Sequence, residues 1–98
     1  MKKLLGLCCL GSLAAYAQTT VGPAPTGSPH QVALRVIREA EHPCPKVVNA
    51  KRDSSGAIRA ICSNGEQYLI ASMSNPKHGT AVMALRCSAA KALLNIDC

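Results

Sequence analysis

The chain has 98 residues, of which 11 are Lys or Arg and 5 are Asp or Glu, for a net charge of +6. This length is enough for one small domain and excludes a second one of ordinary size. The chain contains no Trp or Phe and only two Tyr, so its core must be built mainly from aliphatic side chains, which bury less area each.

The first residues have the layout of a secretory signal peptide. Two lysines precede an apolar run over residues 4–15, and Ala15-Tyr16-Ala17 places small residues where a signal peptidase reads. We therefore expect residues 1–17 to be a signal peptide, cleaved after Ala17, and the protein to be periplasmic or secreted. The run is shorter than the roughly twenty apolar residues of a membrane anchor, so no stable membrane span is expected after cleavage.

Residues 18–28 are rich in Pro, Gly, Ser and Thr and show no apolar period, which predicts a flexible leader. The predicted domain then covers residues 29–98. Nine basic and five acidic residues follow residue 17, so the mature protein carries a net charge of about +4.

An N-terminal helix is predicted directly after the leader. Ser28 is a candidate N-cap, Pro29 suits the first turn, and Gln31 completes a capping box. The apolar residues that follow have helical spacing: Ala33, Val36, Ile37 and Ala40. His42-Pro43-Cys44-Pro45 ends the helix, because each proline disfavours helical geometry in the residue before it.

Three strands are predicted next, over residues 46–53, 57–63 and 66–73. Asn64-Gly65 predicts a type I′ turn between the last two, which places Ile61 opposite Tyr68. Side chains alternate between the faces of a sheet. The face predicted to be the core carries Val48, Ala50, Ile58, Ala60, Cys62, Leu69 and Ala71. The opposite face carries Asn49, Lys51, Arg59, Ile61, Tyr68 and Ile70.

The last third of the chain is ambiguous. Residues 80–87 could be a strand or a helix, and Gly79 after a loop favours a fourth strand, followed by a short helix from Ser88 to Leu94. The predicted fold is α+β: a small antiparallel meander of three to four strands, with an N-terminal and a short C-terminal helix on one face, stabilised by disulfides.

Four cysteines follow the signal peptide, namely Cys44, Cys62, Cys87 and Cys98. In a short exported chain they indicate two disulfides, and a bridge that closes the loop from 44 to 62 would contribute about 3 kcal/mol. Three connectivities are possible. In the predicted meander, Cys44 and Cys62 lie on neighbouring strands, whereas Cys62 and Cys87 lie on alternate strands, which are too far apart for a disulfide. This arrangement favours Cys44–Cys62 with Cys87–Cys98.

No catalytic or metal-binding constellation is evident. The histidines are dispersed, no cysteine pair has zinc-knuckle spacing, and no two carboxylates are placed for acid–base chemistry. We therefore predict no enzyme activity, no metal and no cofactor.

The exposed sheet face is the candidate binding site. Its proposed residues are Lys51, Arg59, Ile61, Tyr68 and Ile70. One aromatic ring among basic side chains could bind an anionic polymer, and the exposed isoleucines could contact a protein partner. Nucleic acid is disfavoured, since single-strand binders usually present several aromatics. The same face could also be an ordinary solvated surface, with Ile61 and Tyr68 as a stabilising cross-strand pair.

Cys62-Ser63-Asn64-Gly65-Glu66-Gln67-Tyr68, Arg86-Cys87-Ser88-Ala89-Ala90 and a terminal Cys98 form a pattern that resembles small exported bacterial proteins of uncharacterised function. The resemblance covers residues 42–98. It implies a disulfide-bearing exported domain and carries no activity or site residues. The function expected is a non-enzymatic accessory or interaction module with a protein partner. The alternative is a cationic protein that binds anionic envelope polymers or nucleic acid through the basic sheet face.

Overall fold

The computed structural model of the protein describes residues 19–98, so the predicted signal peptide and its cleavage site lie outside the described residues. The described chain has an α+β fold, as predicted, with one antiparallel sheet and two helices. In chain order its elements are β1 (Thr20–Gly22), α1 (Pro29–Glu39), β2 (Val47–Arg52), β3 (Ile58–Cys62), β4 (Gln67–Asn75), β5 (Gly79–Arg86) and α2 (Cys87–Leu94).

The long strand β4 organises the sheet. On one side it pairs with β5 along almost its whole length, from Tyr68 opposite Arg86 to Asn75 opposite Gly79. On its other side β3 pairs with the first half of β4 and β1 with the second half. Strand β2 pairs with β3 at the far edge. The meander from β2 to β5 is confirmed, including the strand form of residues 80–86, but the described sheet has five strands because β1 adds to it.

The segment predicted to be a flexible leader is therefore ordered for the most part. Beyond β1, Ala24 is buried, and its N–H donates to the Gly56 carbonyl at 3.0 Å. The Arg52 guanidinium donates to the carbonyl oxygens of Ala24, Pro25, Gly27 and Gly56. The composition of residues 18–28 could not predict these hydrogen bonds, because the donor, Arg52, lies outside that segment. Its acceptors lie 4 to 28 residues away from it in the sequence.

Gly56 allows the leader to approach the turn between β2 and β3. It has a φ of +87°, and a Cβ there would lie 2.7 Å from the Cβ of Pro23. Only glycine fits both the left-handed backbone and this close contact.

The turn between β3 and β4 differs from the prediction by one residue. The Gly65 N–H donates to the Cys62 carbonyl, and the Cys62 N–H donates to the Glu66 carbonyl, both at 2.9 Å. Gly65 has a φ of +88°, whereas Asn64 is not in the left-handed region. This is a three-residue loop, in which a type I turn is followed by a left-handed glycine, instead of a two-residue type I′ turn.

The longer loop moves the side chains of β4 to the opposite faces from those predicted. Ala60 now pairs with Tyr68 and Ile61 with Gln67. The prediction that Tyr68 and Ile70 are exposed is wrong: both are fully buried.

The sheet is covered on both faces, and not on one face as predicted. On one face, α1 packs on the main core, which includes Tyr68 and Ile70. On the other face, Ala90 of α2 packs with Leu69 and Ala71 in a smaller cluster. Because 68 and 70 alternate with 69 and 71 along β4, the two helices lie on opposite sides of the sheet.

Several predicted boundaries need smaller corrections. Ser28 is the N-cap of α1 but makes no side-chain capping bond, and Ala40 lies beyond the helix and is exposed. Helix α2 starts at Cys87 with Arg86 as its N-cap, so Ser88 is not the cap. In β2, a bulge between Val47 and Asn49 buries Val47 and exposes Val48.

Both predicted disulfides are present, Cys44–Cys62 with a Cα separation of 5.4 Å and Cys87–Cys98 with one of 5.7 Å. Cys44 and Cys62 are buried in the main core, where they tie the start of β2 to the end of β3. Cys87 and Cys98 close the C-terminal segment around α2.

Candidate functional site

Strand β5 forms one edge of the sheet. It pairs with β4, and no other strand of residues 19–98 pairs with its outer side. Such an edge presents backbone N–H and C=O groups that can pair with another chain. The outer side of β5 is therefore a candidate interaction surface.

His42 shows which residues of β5 direct their backbone groups outward. Its Nε2 donates to the Ala84 carbonyl at 3.1 Å, and its ring packs on Tyr68 with 5.0 Å between centroids. In an antiparallel pair, alternate residues direct both backbone groups away from the partner strand. Since Ala84 does so, Thr80 and Val82 do so as well, and His42 occupies one of the outward carbonyls.

The outer part of β5 is uncharged and partly apolar. From Gly79 to Leu85 it contains no charged residue, and Val82 and Met83 are 42% and 41% exposed. Natural edge strands are usually protected by lysine, proline or a bulge. Strand β5 has none of these between Gly79 and Leu85.

The opposite edge of the sheet has the protection that β5 lacks. Strand β2 contains a bulge at Val48 and carries Lys51, and Lys46 precedes it. Strand β1 is only three residues long and is followed by Pro23. Of the strand edges in the described chain, that of β5 is the most accessible to pairing.

A groove of about 770 Å³ runs between β5 and the C-terminal half of α1. Its walls are formed by Pro25, Arg35, Val36, Glu39, Ala40, His42, Val82, Met83, Ala84 and Leu85. Arg35 and Glu39 form an exposed ion pair at 3.7 Å. The groove thus offers aliphatic contacts beside a row of outward backbone groups.

The predicted binding face is divided between the two sides of the sheet. Lys51, Arg59 and Ile61 line a shallow depression of about 270 Å³, together with Asn49, Gln67 and the Cys87–Cys98 disulfide. Tyr68 and Ile70 lie in the core on the other side. The structure therefore does not bring the aromatic ring next to the basic side chains.

Arg59 is also engaged within the protein. Its guanidinium forms an ion pair with Asp53 and donates to the Asp97 carbonyl at 2.8 Å. Hydrogen bonds from the Ser55 side chain and backbone, together with the adjacent Arg59, hold the pKa of Asp53 below its usual value. Lys51 is left as the exposed cation of this depression.

The described residues offer little for other kinds of site. In the range 19–98, no three His, Cys, Asp or Glu side chains are grouped so as to hold a metal ion. No helix in the same range is long and apolar enough to cross a membrane.

Comparison with known proteins gives no relative: no family model, no curated protein and no solved structure matches the chain. The site must be interpreted from its own geometry. The sequence contains one signal for it, since a charge-free strand at the end of a meander predicts an unprotected edge.

Proposed function

We propose that the protein is an exported, non-enzymatic interaction module that binds an extended segment of a partner protein by adding it as a strand to the outer edge of β5. The observation that supports this proposal is that Thr80 and Val82 direct their backbone N–H and C=O groups away from β4, next to exposed apolar side chains of β5.

The groove beside β5 supports this mode. An added strand alternates its side chains between the two faces of the sheet. Those on the α1 side would enter the groove against Val36 and Ala40. Backbone pairing would provide the affinity and the groove would select the side chains.

The protein already contains one short strand addition. Strand β1 has three residues and pairs with Ser72, Met73 and Ser74 of β4. The exposed stretch of β5 that is free to pair, from Thr80 to Val82, has a similar length. It ends before Ala84, because the Ala84 carbonyl already accepts a hydrogen bond from His42.

A second copy of the chain is a poor occupant of the same edge. Antiparallel pairing of two β5 strands would bring Arg86 of each copy towards Lys77 of the other. Like charges placed opposite each other are destabilising. The partner is therefore a different protein.

The basic sheet face receives no specific support. Tyr68 is buried and Arg59 is paired with Asp53, so an anionic polymer would meet little more than Lys51 on this face. We propose export because two disulfides in a small domain are typical of oxidising compartments.

The test is an NMR titration of the full chain, produced in an exporting host with its disulfides formed, with an uncharged peptide of alternating Val and Thr. We expect amide shifts at Thr80 and Val82 and none along β2. The same peptide with alternate backbone nitrogens methylated should not bind, because it cannot complete the ladder.

Val82→Pro should abolish binding, since proline removes an outward N–H without breaking the β4–β5 ladder. Val82→Thr is the matched control and should bind normally. Unchanged binding to a correctly folded Val82→Pro variant, or shifts that map to β2, would refute the proposal.

A further inference from the structure

We infer that the partner segment carries acidic side chains on both sides of its uncharged centre. This inference rests on the proposed function and specifies the chemistry of the same site. It comes from the charges at the two ends of β5.

Both ends of the uncharged edge are basic. Lys77 and His78 lie just before β5, and Arg86 is its last residue; all three are exposed. Among the described residues, neither Lys77 nor Arg86 forms an ion pair, whereas Arg35, Arg59 and Lys91 each have an acidic partner. Two positive charges therefore remain available at the ends of this edge.

None of the acidic residues in the described part of the chain forms an ion pair with Lys77 or Arg86. Glu39 lines the groove but is paired with Arg35. Glu66 lies two residues before Tyr68, the register partner of Arg86, yet forms no ion pair with it. Nearby carboxylates thus leave both ends of β5 positive.

The distance between the ends sets the spacing of the partner charges. The eight residues of β5 span about 27 Å at the usual rise of a strand. A partner segment that pairs at Thr80 to Val82, in either direction, would continue unpaired past His42 towards Arg86 at one end and towards Lys77 at the other. Acidic residues about eight positions apart in the partner would face both cations at once.

The test compares three peptides with the same alternating Val and Thr centre and with Asp, Asn or Lys at both flanks. Dissociation constants are measured by NMR titration of the full, disulfide-bonded chain at low and high salt. We expect the Asp peptide to bind about fivefold more tightly than the Asn peptide at low salt, the effect of two exposed charge pairs. Salt should reduce this preference.

The variant Lys77→Glu/Arg86→Glu should reverse the order of the Asp and Lys peptides. Lys51→Glu is the control: it reverses one positive charge on β2, three strands away, and should leave the order unchanged.

The possible results separate this inference from the proposed function. Equal binding of the three peptides, tighter binding of the Lys peptide, or a preference abolished by Lys51→Glu would overturn the acidic-flank inference, while binding at Thr80 and Val82 would keep the proposed function. Failure of every peptide to bind the folded protein would overturn both.

Discussion

At the scale of single residues, Tyr68 shows how an aromatic-poor chain builds a core. Among the described residues it is the largest side chain that is fully buried, and its ring packs against His42. Its hydroxyl is buried without a hydrogen-bond partner in residues 19–98. The ring therefore stabilises the fold while the hydroxyl opposes it.

We expect Tyr68→Phe to leave the free energy of unfolding unchanged or to raise it by about 1 kcal/mol, because it removes an unsatisfied buried group. Tyr68→Ala should lower that free energy by about 3–5 kcal/mol through loss of packing. Denaturant unfolding of the oxidised proteins measures both. A small effect of Tyr68→Ala would instead support the exposed position predicted from the sequence.

Asp53 provides a pH dependence with a defined sign. Hydrogen bonds from Ser55 and the charge of Arg59 hold its pKa in the folded protein below its usual value. The unfolded chain thus binds the proton more tightly, so the stabilisation is complete above about pH 4 and is lost as the pH falls through the lower folded pKa.

Unfolding midpoints measured between pH 2 and 6 should therefore fall more steeply below pH 4 in the wild type than in Asp53→Asn. Glu39→Gln is the matched control, because Glu39 is exposed and paired only with Arg35. If the Asp53→Asn curve paralleled that of the wild type, Asp53 would not be the group responsible.

At the scale of elements, the helices and the long strands followed from sequence pattern, but the faces of β4 did not. The apolar alternation of β4 is ambiguous, since Tyr68 and Ile70 on one face and Leu69 and Ala71 on the other are all buried. Only the loop length then decides which pair faces α1. Asn64-Gly65 fits both a two-residue and a three-residue loop, so the turn sequence left the choice open.

Strand β1 and the edge of β5 differ from each other in predictability. Strand β1 has three residues, too few for a periodic signal, and its pairing partners lie about fifty residues further along the chain, at Ser72, Met73 and Ser74 of β4. The edge character of β5 could be anticipated, because its sequence is charge-free and it comes last in the meander. The groove could not be, since it depends on where α1 crosses the sheet.

At the scale of the whole molecule, one sheet separates two apolar clusters of unequal size, and each cluster is associated with one disulfide. The buried Cys44–Cys62 bridge belongs to the main core under α1. The Cys87–Cys98 bridge holds the segment that covers the smaller cluster through Ala90 and Ile96. The two bridges should therefore affect different parts of the fold.

On the chain-entropy model each bridge stabilises by about 3 kcal/mol, because the closed loops span similar separations of 18 and 11 residues. Replacing Cys44 and Cys62 by alanine also removes two buried sulfur atoms from the main core, and a domain of this size has only a few kcal/mol to lose. We expect Cys44→Ala/Cys62→Ala to be largely unfolded. Cys87→Ala/Cys98→Ala should keep β2 to β5 folded, with faster amide exchange confined to α2 and the residues after it. Circular dichroism and hydrogen exchange measure the two effects.

The opposite order, in which the C-terminal variant unfolds and the core variant stays folded, would mean that the smaller cluster and not the main core holds the sheet together.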